Sequence, residues 1–213
     1  MTATEGGHGM GFKRLLGIIT IANQLTFLRL VAVPFFILTV LSARFDIALG
    51  LFVAAAITDL LDGITARMLH QRTPLGAYLD PAADKLLLVS AFILLTDYPA
   101  MFQEITMVAR LPIWLCILAI SRDILIVAVA LMMYLAYGQT RFDPTVWGKL
   151  TTVAEALTIG LFLLANALGV GSPLLQVAVW VTLSLILISG FDYLFRTGAA
   201  VRRGGPDAAA PDS

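Results

Sequence analysis

The stretch TDLLDGITARMLHQRTPLGAYLDPAADKLL, residues 58–87, decides how the fold and chemistry of this chain are interpreted. It holds four aspartates, Asp59, Asp62, Asp80 and Asp84, in a chain whose residues are 59% hydrophobic. Charged side chains are costly in apolar surroundings, and where they occur there they mark ion or substrate sites or pair with one another. The surroundings of the four carboxylates therefore determine what they can do.

The composition is that of an integral membrane protein. Only 13% of the residues are charged, whereas a soluble domain carries about 25%, and the mean hydropathy is +0.90. A run of about 20 apolar residues crosses a hydrocarbon core as a helix, the open-chain form that satisfies its own backbone polar groups. The sequence predicts an all-α membrane protein whose six transmembrane helices span residues 23–43, 47–69, 76–96, 111–136, 147–168 and 173–195.

The six spans are expected to form one domain, residues 23–196, between two polar ends. Residues 1–22 are interpreted as a frayed tail followed by an interfacial amphipathic segment that begins near Lys13. A secretory signal peptide is the alternative, although Arg29 interrupts the apolar stretch and further spans follow. Residues 197–213 are expected to form a disordered cytoplasmic tail. The net charge is zero and no basic run is long enough to suggest nucleic acid as a partner.

Basic residues predict the orientation in the membrane. With a cytoplasmic N-terminus, the opposite side holds only Arg44 and Arg110, and the positive-inside rule favours this arrangement. It places the loop around residues 70–73, and with it the four aspartates, toward the cytoplasm. The N-terminus lacks an Arg-rich transit pattern, which favours a bacterial inner (plasma) membrane over a mitochondrial one. The cytoplasmic side then collects Lys13, Arg14, Arg67, Arg72, Arg141, Lys149, Arg196, Arg202 and Arg203.

Helical spacing groups the four acids into two pairs. Asp59 and Asp62 are three residues apart, and Asp80 and Asp84 are four apart, so each pair projects from one face of its own helix. A short loop between antiparallel helices brings the pairs together, and four close carboxylates need cations between them to stay ionised in a poorly solvated site. Mg²⁺ or Mn²⁺, which prefer oxygen ligands, are the natural occupants.

Small residues accompany the first acid pair. Gly63 lies four residues after Asp59, and Ala66 lies four residues after Asp62. The helical face that carries the two acids therefore has no large side chain at these positions, and a planar ligand can approach the backbone there. Arg67 offers a fixed cationic fork suited to a phosphate. Gly76 is predicted to open the third span, with Pro81 in its first turn, where proline is tolerated.

The sequence pattern leaves two other interpretations of the four aspartates open. Intramembrane carboxylates also line the ion paths of transporters and channels. They can also be paired structurally, here with Arg67, Lys85 or Arg122. An ion-coupled transporter is therefore the alternative from a different functional class.

The motif also carries a family resemblance, through the eight positions Asp59-x2-Asp62-Gly63-x2-Ala66-Arg67-x8-Gly76-x3-Asp80-x3-Asp84. This pattern resembles the signature of the CDP-alcohol phosphotransferases, integral membrane enzymes of phospholipid synthesis. The resemblance implies transfer of a phosphatidyl group from a CDP-lipid such as CDP-diacylglycerol to an alcohol, with CMP as the leaving group. It also implies a homodimer.

The resemblance further implies a role for each residue of the signature. Asp59, Asp62 and Asp80 correspond to ligands of two divalent cations on the CDP diphosphate, and Asp84 completes the metal site and acts as the general base. The CDP-lipid site implied by the resemblance consists of Asp59, Asp62, Gly63, Ala66, Arg67 and Gly76, with the glycine and alanine beside the cytidine and the arginine beside the nucleotide phosphates.

Acceptor-binding residues are expected on the fourth and fifth spans. Lys149 and Thr151, in WGKLTT, lie at the predicted cytoplasmic start of the fifth span, where a cation can receive the phosphate of an acceptor; an ordinary flanking lysine is the alternative. Arg122, in ISRD, lies within the fourth span. It is predicted either to bind the acceptor or to pair with Glu155 on the fifth span.

Within the family, the GK-x-T pattern and the NQLTFLR-x4-P opening resemble phosphatidylglycerophosphate synthases, which use glycerol 3-phosphate. ISRD, IALGLF and TDLLDG resemble the CMP-forming cardiolipin synthases, which use phosphatidylglycerol. Synthases of inositol phosphate, serine and choline lipids share the same eight-residue signature. The function expected from the sequence is phosphatidylglycerophosphate synthesis, with cardiolipin synthesis as the alternative.

Overall fold

The computed structural model describes residues 21–69, 74–96, 106–137 and 145–202. Its account of side chains leaves out residues 21–27, 59–69, 74–84, 136–137, 196 and 199–202. The predicted interfacial segment and residues 203–213 of the predicted tail lie outside the described residues. The described ranges hold six helices: α1 Ile21–Leu41, α2 Phe45–Leu69, α3 Pro74–Leu95, α4 Ile113–Tyr137, α5 Val146–Leu168 and α6 Pro173–Arg202.

The all-helical prediction is confirmed, and each predicted span corresponds to one helix. Helix α6 differs most, because it continues to Arg202 instead of ending near residue 195. Helix α3 begins at Pro74, a favoured residue at a first helical position. Pro81 therefore lies two turns into the helix and not in its first turn, so the prediction for that proline was wrong.

Three of the described helices are long and apolar enough to cross a membrane. Their candidate spans are Ile113–Leu135, Val146–Leu168 and Pro173–Phe195. Shorter apolar helical stretches occupy Leu28–Leu41, Phe45–Thr58 and Lys85–Leu95. The second half of the chain thus carries the strongest membrane signal among the described residues.

The chain forms two compact units, residues 1–94 with 104–106, and residues 95–103 with 107–213. Of the described residues, the first unit contains α1, α2 and all but the last residue of α3. The second contains α4, α5 and α6, together with residues 95, 96 and 107–112.

A tight turn folds α1 back on α2 in the first unit. The backbone N–H of Arg44 donates to the carbonyl of Thr39 at 2.8 Å, while Ala43 adopts a left-handed φ of 55°. The buried rings of Phe36 and Phe52 then meet with centroids 6.2 Å apart and planes tilted by 43°. Edge-on and tilted ring pairs of this kind stabilise a core beyond their area alone.

The start of α2 carries an exposed charge pair. Asp46 lies 3.4 Å from the Nε of Arg44. The backbone N–H of Ile47, with a smaller contribution from Arg44, holds the pKa of the Asp46 carboxyl below its ordinary value. An exposed pair of this type adds little to stability.

In the second unit, α5 and α6 form a hairpin with defined caps. Thr145 is the N-cap of α5, and its side chain accepts from the N–H of Gly148 at 3.0 Å. Gly169 ends the helix in the left-handed conformation, at φ 67°, which a glycine adopts without steric cost. The two helices are joined along their length by hydroxyl contacts, the shortest being 2.8 Å between Thr158 and Thr182.

A single amide holds the segment before α4 against α5. Asn166 accepts at Oδ1 from the N–H groups of Val108, at 2.8 Å, and Ala109, at 3.1 Å. Its Nδ2 donates to the carbonyls of Ala109 and Phe162, both at 2.8 Å. All the polar atoms of this buried amide are thereby used, so the position of the segment is well determined.

Candidate active site

The acidic signature lies on two helices of the first unit. Asp59, Asp62, Gly63, Ala66 and Arg67 occupy the second half of α2, and Gly76, Asp80 and Asp84 occupy the first half of α3. The backbone is helical at all eight positions. Residues 70–73, which connect the two helices, lie outside the described residues.

Helical backbone at these positions supports the pairing of the acids. At about 100° per residue, Asp59 and Asp62 differ by about 60° around α2, and Asp80 and Asp84 by about 40° around α3. Each pair therefore shares one side of its helix. Carboxylate oxygens are the ligands that hard divalent cations prefer, so the donor set fits such ions.

The side chains of the eight signature residues lie outside the described set. Within the side chains that are described, no cluster of three or more His, Cys, Asp or Glu residues is found. The proposed metal ligands thus stay the four aspartates of α2 and α3.

A second polar centre lies in the other unit, around Arg122 of α4. This side chain is 7% exposed. Its Nη1 donates to Asp123 at 2.9 Å and its Nη2 donates to Ser189 of α6 at 2.6 Å. Its buried Nε has no hydrogen-bond partner among the described residues, although a buried charged group is costly unless its donors are used. The Nε of Arg122 is therefore a buried donor that the described residues leave unused.

Arg122 lies against the N-terminus of α5. A Cβ placed on Gly148 would be 3.1 Å from Nη2 of Arg122 and 3.2 Å from Oγ1 of Thr145. Glycine is therefore the residue that allows the guanidinium to approach the first turn this closely. Lys149 follows Gly148 and is exposed. Arg122 thus approaches the first turn of α5, the turn to which Lys149 belongs, and a helix N-terminus favours anions.

Thr151, the third predicted acceptor residue, lies deeper in the hairpin. It is fully buried, and its hydroxyl contacts the carbonyls of Trp147, at 2.8 Å, and Leu185 of α6, at 3.1 Å. A hydroxyl engaged in this way joins two helices. Its placement favours a packing role, and the structure brings together Arg122 and the Gly148–Lys149 segment without it.

The predicted ion pair between Arg122 and Glu155 is not the one observed. Across the described residues, the ion pair of Arg122 is with its neighbour Asp123. Glu155 is buried on α5, one turn beyond Thr151. The carboxylate of Asp123, on the same helix as Arg122, accepts from Nη1 at 2.9 Å. This atom therefore needs no acceptor from α5.

Sequence reasoning missed two residues of this centre. Ser189 gave no signal of its own, since a single serine in an apolar helix is common and its hydroxyl usually bonds within the helix. Gly148 was recognised only as part of the GK-x-T pattern. Its steric role depends on the position of Arg122, which is 26 residues earlier in the chain.

Comparison with known proteins identifies the family. A sequence profile of the CDP-alcohol phosphatidyltransferase family matches residues 19–188. A probable phosphatidylglycerophosphate synthase of Mycobacterium tuberculosis is 37% identical over 84% of this chain and 82% of its own length.

More distant relatives fall into two activities. A CDP-diacylglycerol–glycerol-3-phosphate 3-phosphatidyltransferase of Bacillus subtilis is 29% identical over 87% of this chain and 98% of its own length. A human CMP-forming cardiolipin synthase is 29% identical over 76% of this chain and 56% of its own length.

Enzymes of the matched family use CDP-alcohol donors and alcohol acceptors, and they generally require divalent metal ions. The acid signature on α2 and α3 and the apolar helices agree with such membrane enzymes. The profile match and the 37% identity over most of both chains show that this protein belongs to the CDP-alcohol phosphatidyltransferase family.

Proposed function

We propose that the protein is a phosphatidylglycerophosphate synthase, which transfers the phosphatidyl group of CDP-diacylglycerol to glycerol 3-phosphate and releases CMP. The observation that carries this choice is the approach of Arg122 to Gly148, beside Lys149. Two cations at one helix N-terminus suit an acceptor that brings its own phosphate. The names of the Mycobacterium and Bacillus relatives support the same choice.

The donor site is proposed on α2 and α3. Asp59, Asp62, Asp80 and Asp84 hold two divalent cations, Mg²⁺ or Mn²⁺, through their carboxylate oxygens. When bound, such ions neutralise the diphosphate and stabilise the oxygens that attack and leave. Gly63 and Ala66 leave room for the cytidine, Arg67 binds its phosphates, and Gly76 lies at the start of the opposite wall.

Asp84 is proposed to act also as the general base. It accepts the proton of the acceptor hydroxyl as that oxygen bonds to the phosphorus bearing the diacylglycerol, while the bond from this phosphorus to the CMP oxygen breaks. A positioned base typically contributes about 10² to 10⁴ in rate. Positioning and electrostatic stabilisation must supply the remainder.

The acceptor phosphate is proposed to bind Arg122 and Lys149. A phosphomonoester carries about −1.5 to −2 charges at pH 7, more than the single charge of the phosphodiester in phosphatidylglycerol. Two cations and a helix N-terminus favour the more highly charged acceptor. Ser189 and Asp123 hold the guanidinium in place through the bonds at 2.6 and 2.9 Å.

Six membrane spans, a cytoplasmic N-terminus and active site, a bacterial inner membrane and a homodimeric state complete the proposal. The basic residues on the predicted cytoplasmic side support this orientation. A site at that face gives a lipid donor access from the bilayer and a water-soluble acceptor access from the cytoplasm.

The cardiolipin synthase reaction is the second candidate. The human relative and the ISRD segment around Arg122 favour it. In that case phosphatidylglycerol replaces glycerol 3-phosphate as the acceptor, and both substrates enter from the bilayer.

One assay distinguishes the candidates. The purified full chain is supplied with CDP-diacylglycerol and Mg²⁺, and CMP release is measured with glycerol 3-phosphate and with phosphatidylglycerol in parallel. Release that depends on glycerol 3-phosphate is expected. Release with phosphatidylglycerol alone supports the cardiolipin reaction, and no release with any alcohol, together with ion flux in liposomes, supports a transporter.

Lys149→Ala tests the acceptor site in the same assay. The KM for glycerol 3-phosphate should rise several-fold while the KM for CDP-diacylglycerol changes little, because the lysine is proposed to contact only the acceptor. An unchanged KM for glycerol 3-phosphate would make Lys149 an ordinary interfacial lysine.

A further inference from the structure

Three helices of the second unit meet at Gly148, near the start of α5. A Cβ placed there would lie 3.1 Å from Nη2 of Arg122 on α4 and 3.9 Å from Oγ of Ser189 on α6. Nη2 and Oγ are joined by a hydrogen bond of 2.6 Å, and the two side chains are both buried. The direction of the guanidinium therefore depends on where α5 and α6 lie.

The first turn of α5 is held by its own side chains. Thr145 accepts at Oγ1 from the N–H of Gly148 at 3.0 Å, and the hydroxyl of Thr152 donates to the carbonyl of Gly148 at 3.2 Å. The peptide groups on both sides of Gly148 are thus bonded, so the surface that Arg122 approaches is well determined.

Thr151 connects this turn to α6. Its hydroxyl lies 2.8 Å from the carbonyl of Trp147 and 3.1 Å from the carbonyl of Leu185. In an α-helix the carbonyl of residue 185 also accepts from the N–H of residue 189, and a carbonyl oxygen has two lone pairs for these two bonds. Thr151 therefore binds the same carbonyl that holds the backbone of Ser189.

Ser189 ties the guanidinium to the hairpin of α5 and α6. Within the described part of the chain, the hydrogen bonds of the Arg122 side chain run from Nη1 to Asp123 and from Nη2 to Ser189. Asp123 is on the same helix as Arg122 and moves with it. The bond to Ser189 is therefore the one that sets the guanidinium relative to the other two helices.

We propose that Ser189 and Thr151 are positioning residues of the acceptor site. Ser189 directs the guanidinium of Arg122, and Thr151 keeps the turn of α6 that carries Ser189 in register with the first turn of α5. This inference rests on the proposed function, in which Arg122 binds the acceptor phosphate. Both residues act through Arg122 and not by contact with the acceptor, because a guanidinium that is already oriented loses less entropy on binding.

The KM for glycerol 3-phosphate tests this role, measured by CMP release from the purified full chain with saturating CDP-diacylglycerol and Mg²⁺. Ser189→Ala should raise this KM about tenfold, since a hydrogen bond to a charged group is worth at least that factor. The kcat should change little, because the oriented guanidinium binds the ground state and the transition state alike.

Thr151→Val acts one contact further from the guanidinium and should raise the KM about threefold. Thr151→Ser keeps the hydroxyl and should restore the KM of the unaltered protein. The two substitutions differ in the hydroxyl that bonds to Leu185, so a rise in both variants would overturn the role of Thr151.

Thr158→Val is the matched control on the same helix. Thr158 also bonds across to α6, at 2.8 Å to Thr182 and at 3.5 Å to the carbonyl of Ala178. It lies two turns beyond Thr151, about 10 Å along the helix. Loss of stability alone would be common to Thr151→Val and Thr158→Val, whereas the KM for glycerol 3-phosphate should rise only in Thr151→Val. An equal rise in both variants would overturn the proposal.

The variant that combines Ser189→Ala with Thr151→Val shows whether the two residues act in series. Because Thr151 acts through Ser189, the double variant should have the KM of Ser189→Ala alone. Increases that multiply would mean that Thr151 affects the acceptor by a separate route, and this outcome would overturn its positioning role.

Arg122→Lys separates a failure of this inference from a failure of the proposed function. It keeps the charge and loses the planar fork, and it should raise the KM at least as much as Ser189→Ala. If Arg122→Lys raises the KM and Ser189→Ala does not, the positioning role is wrong and the acceptor site stands. If neither raises it, or if the unaltered protein releases no CMP with glycerol 3-phosphate, the proposed function fails and the inference fails with it. Should Ser189→Ala fail to fold, the comparison of Thr151→Val with Thr158→Val decides the question.

Discussion

Polar residues at helical spacing occur on α2 and on α5, and the two helices use them differently. On α5, Thr151, Thr158 and Asn166 are buried and bonded to backbone or side chains of neighbouring segments. On α2, Asp59 and Asp62 share one side of the helix, and both carry the same charge.

The difference is one of charge and hydrogen-bonding capacity. A hydroxyl or an amide both donates and accepts, so neighbouring helices can satisfy it from their own backbone. Ionised carboxylates only accept, and they repel one another at short distance. A polar stripe of hydroxyls therefore joins helices, whereas a stripe of acids requires a cationic ligand.

The largest effect is expected at the acid centre. Asp84→Asn should reduce CMP release by about 10² to 10⁴, because the proposed base loses its ability to accept a proton. CDP-diacylglycerol binding, measured separately by equilibrium binding in the presence of Mg²⁺, should be largely retained.

Asp46→Asn is the control for the loss of one carboxylate. Asp46 is exposed at the start of α2, and its pair with Arg44 contributes little. This variant should turn over like the unaltered protein. Equal turnover by Asp84→Asn and Asp46→Asn would remove Asp84 from the proposed chemistry.

The next effect concerns stability in the hydroxyl and amide region. Asn166→Ala leaves the N–H groups of Val108 and Ala109 without their acceptor. The bond to Ala109 is buried and the bond to Val108 is part-buried, and a buried group left unsatisfied costs about 1–3 kcal/mol. The free energy of unfolding in mixed micelles should fall accordingly, while Ser184→Ala, at an exposed site on α6, should stay within about 0.5 kcal/mol. Equal stability of the two variants would contradict the assigned role of Asn166.

A smaller effect is expected at the start of α5, where Arg122 approaches Gly148. Gly148→Ala places a Cβ 3.1 Å from Nη2 of Arg122, so the guanidinium must shift by a few tenths of an ångström. The KM for glycerol 3-phosphate should rise about fivefold, equivalent to about 1 kcal/mol.

Gly160→Ala is the matched control on the same helix, because a Cβ there meets nothing within 4 Å. Both substitutions favour helix equally. A KM that rises to the same extent in both variants would show that the effect does not pass through Arg122.

The smallest effect concerns a single hydroxyl pair. Thr158→Val and Thr182→Val, alone and combined, form a double-mutant cycle across the 2.8 Å contact. Hydrogen bonds between membrane helices average about 0.6 kcal/mol in such cycles. A coupling energy near zero in the unfolding measurement would mean that backbone carbonyls satisfy each hydroxyl separately.

The helices and the family were accessible from the sequence. Apolar runs of spanning length have one favourable backbone conformation in lipid, so the predicted spans correspond to α1–α6. The helical backbone under the acid signature was also predictable, and residues three or four apart on one helix share a side wherever the helix packs. The roles of the four acids stay a prediction. The position of Pro81 was mistaken, since Pro74 begins α3 earlier than the apolar pattern suggested.

Contacts between segments distant in sequence were not accessible in this way. Pairing with Glu155 was one of two predicted roles of Arg122, and the observed ion pair is with Asp123, with Ser189 as the second acceptor. Several helix registers satisfy the same apolar pattern, and the register chosen by packing decides which polar groups meet.

By itself, the sequence determined that this is a helical membrane enzyme of its family, because hydrophobic length and local spacing are properties of single helices. The tertiary structure alone decided that Gly148 leaves room for Arg122 at the start of α5, and that Asn166 binds the backbone of Val108 and Ala109. Those arrangements depend on close packing between helices, where distances of a few tenths of an ångström separate contact from clash.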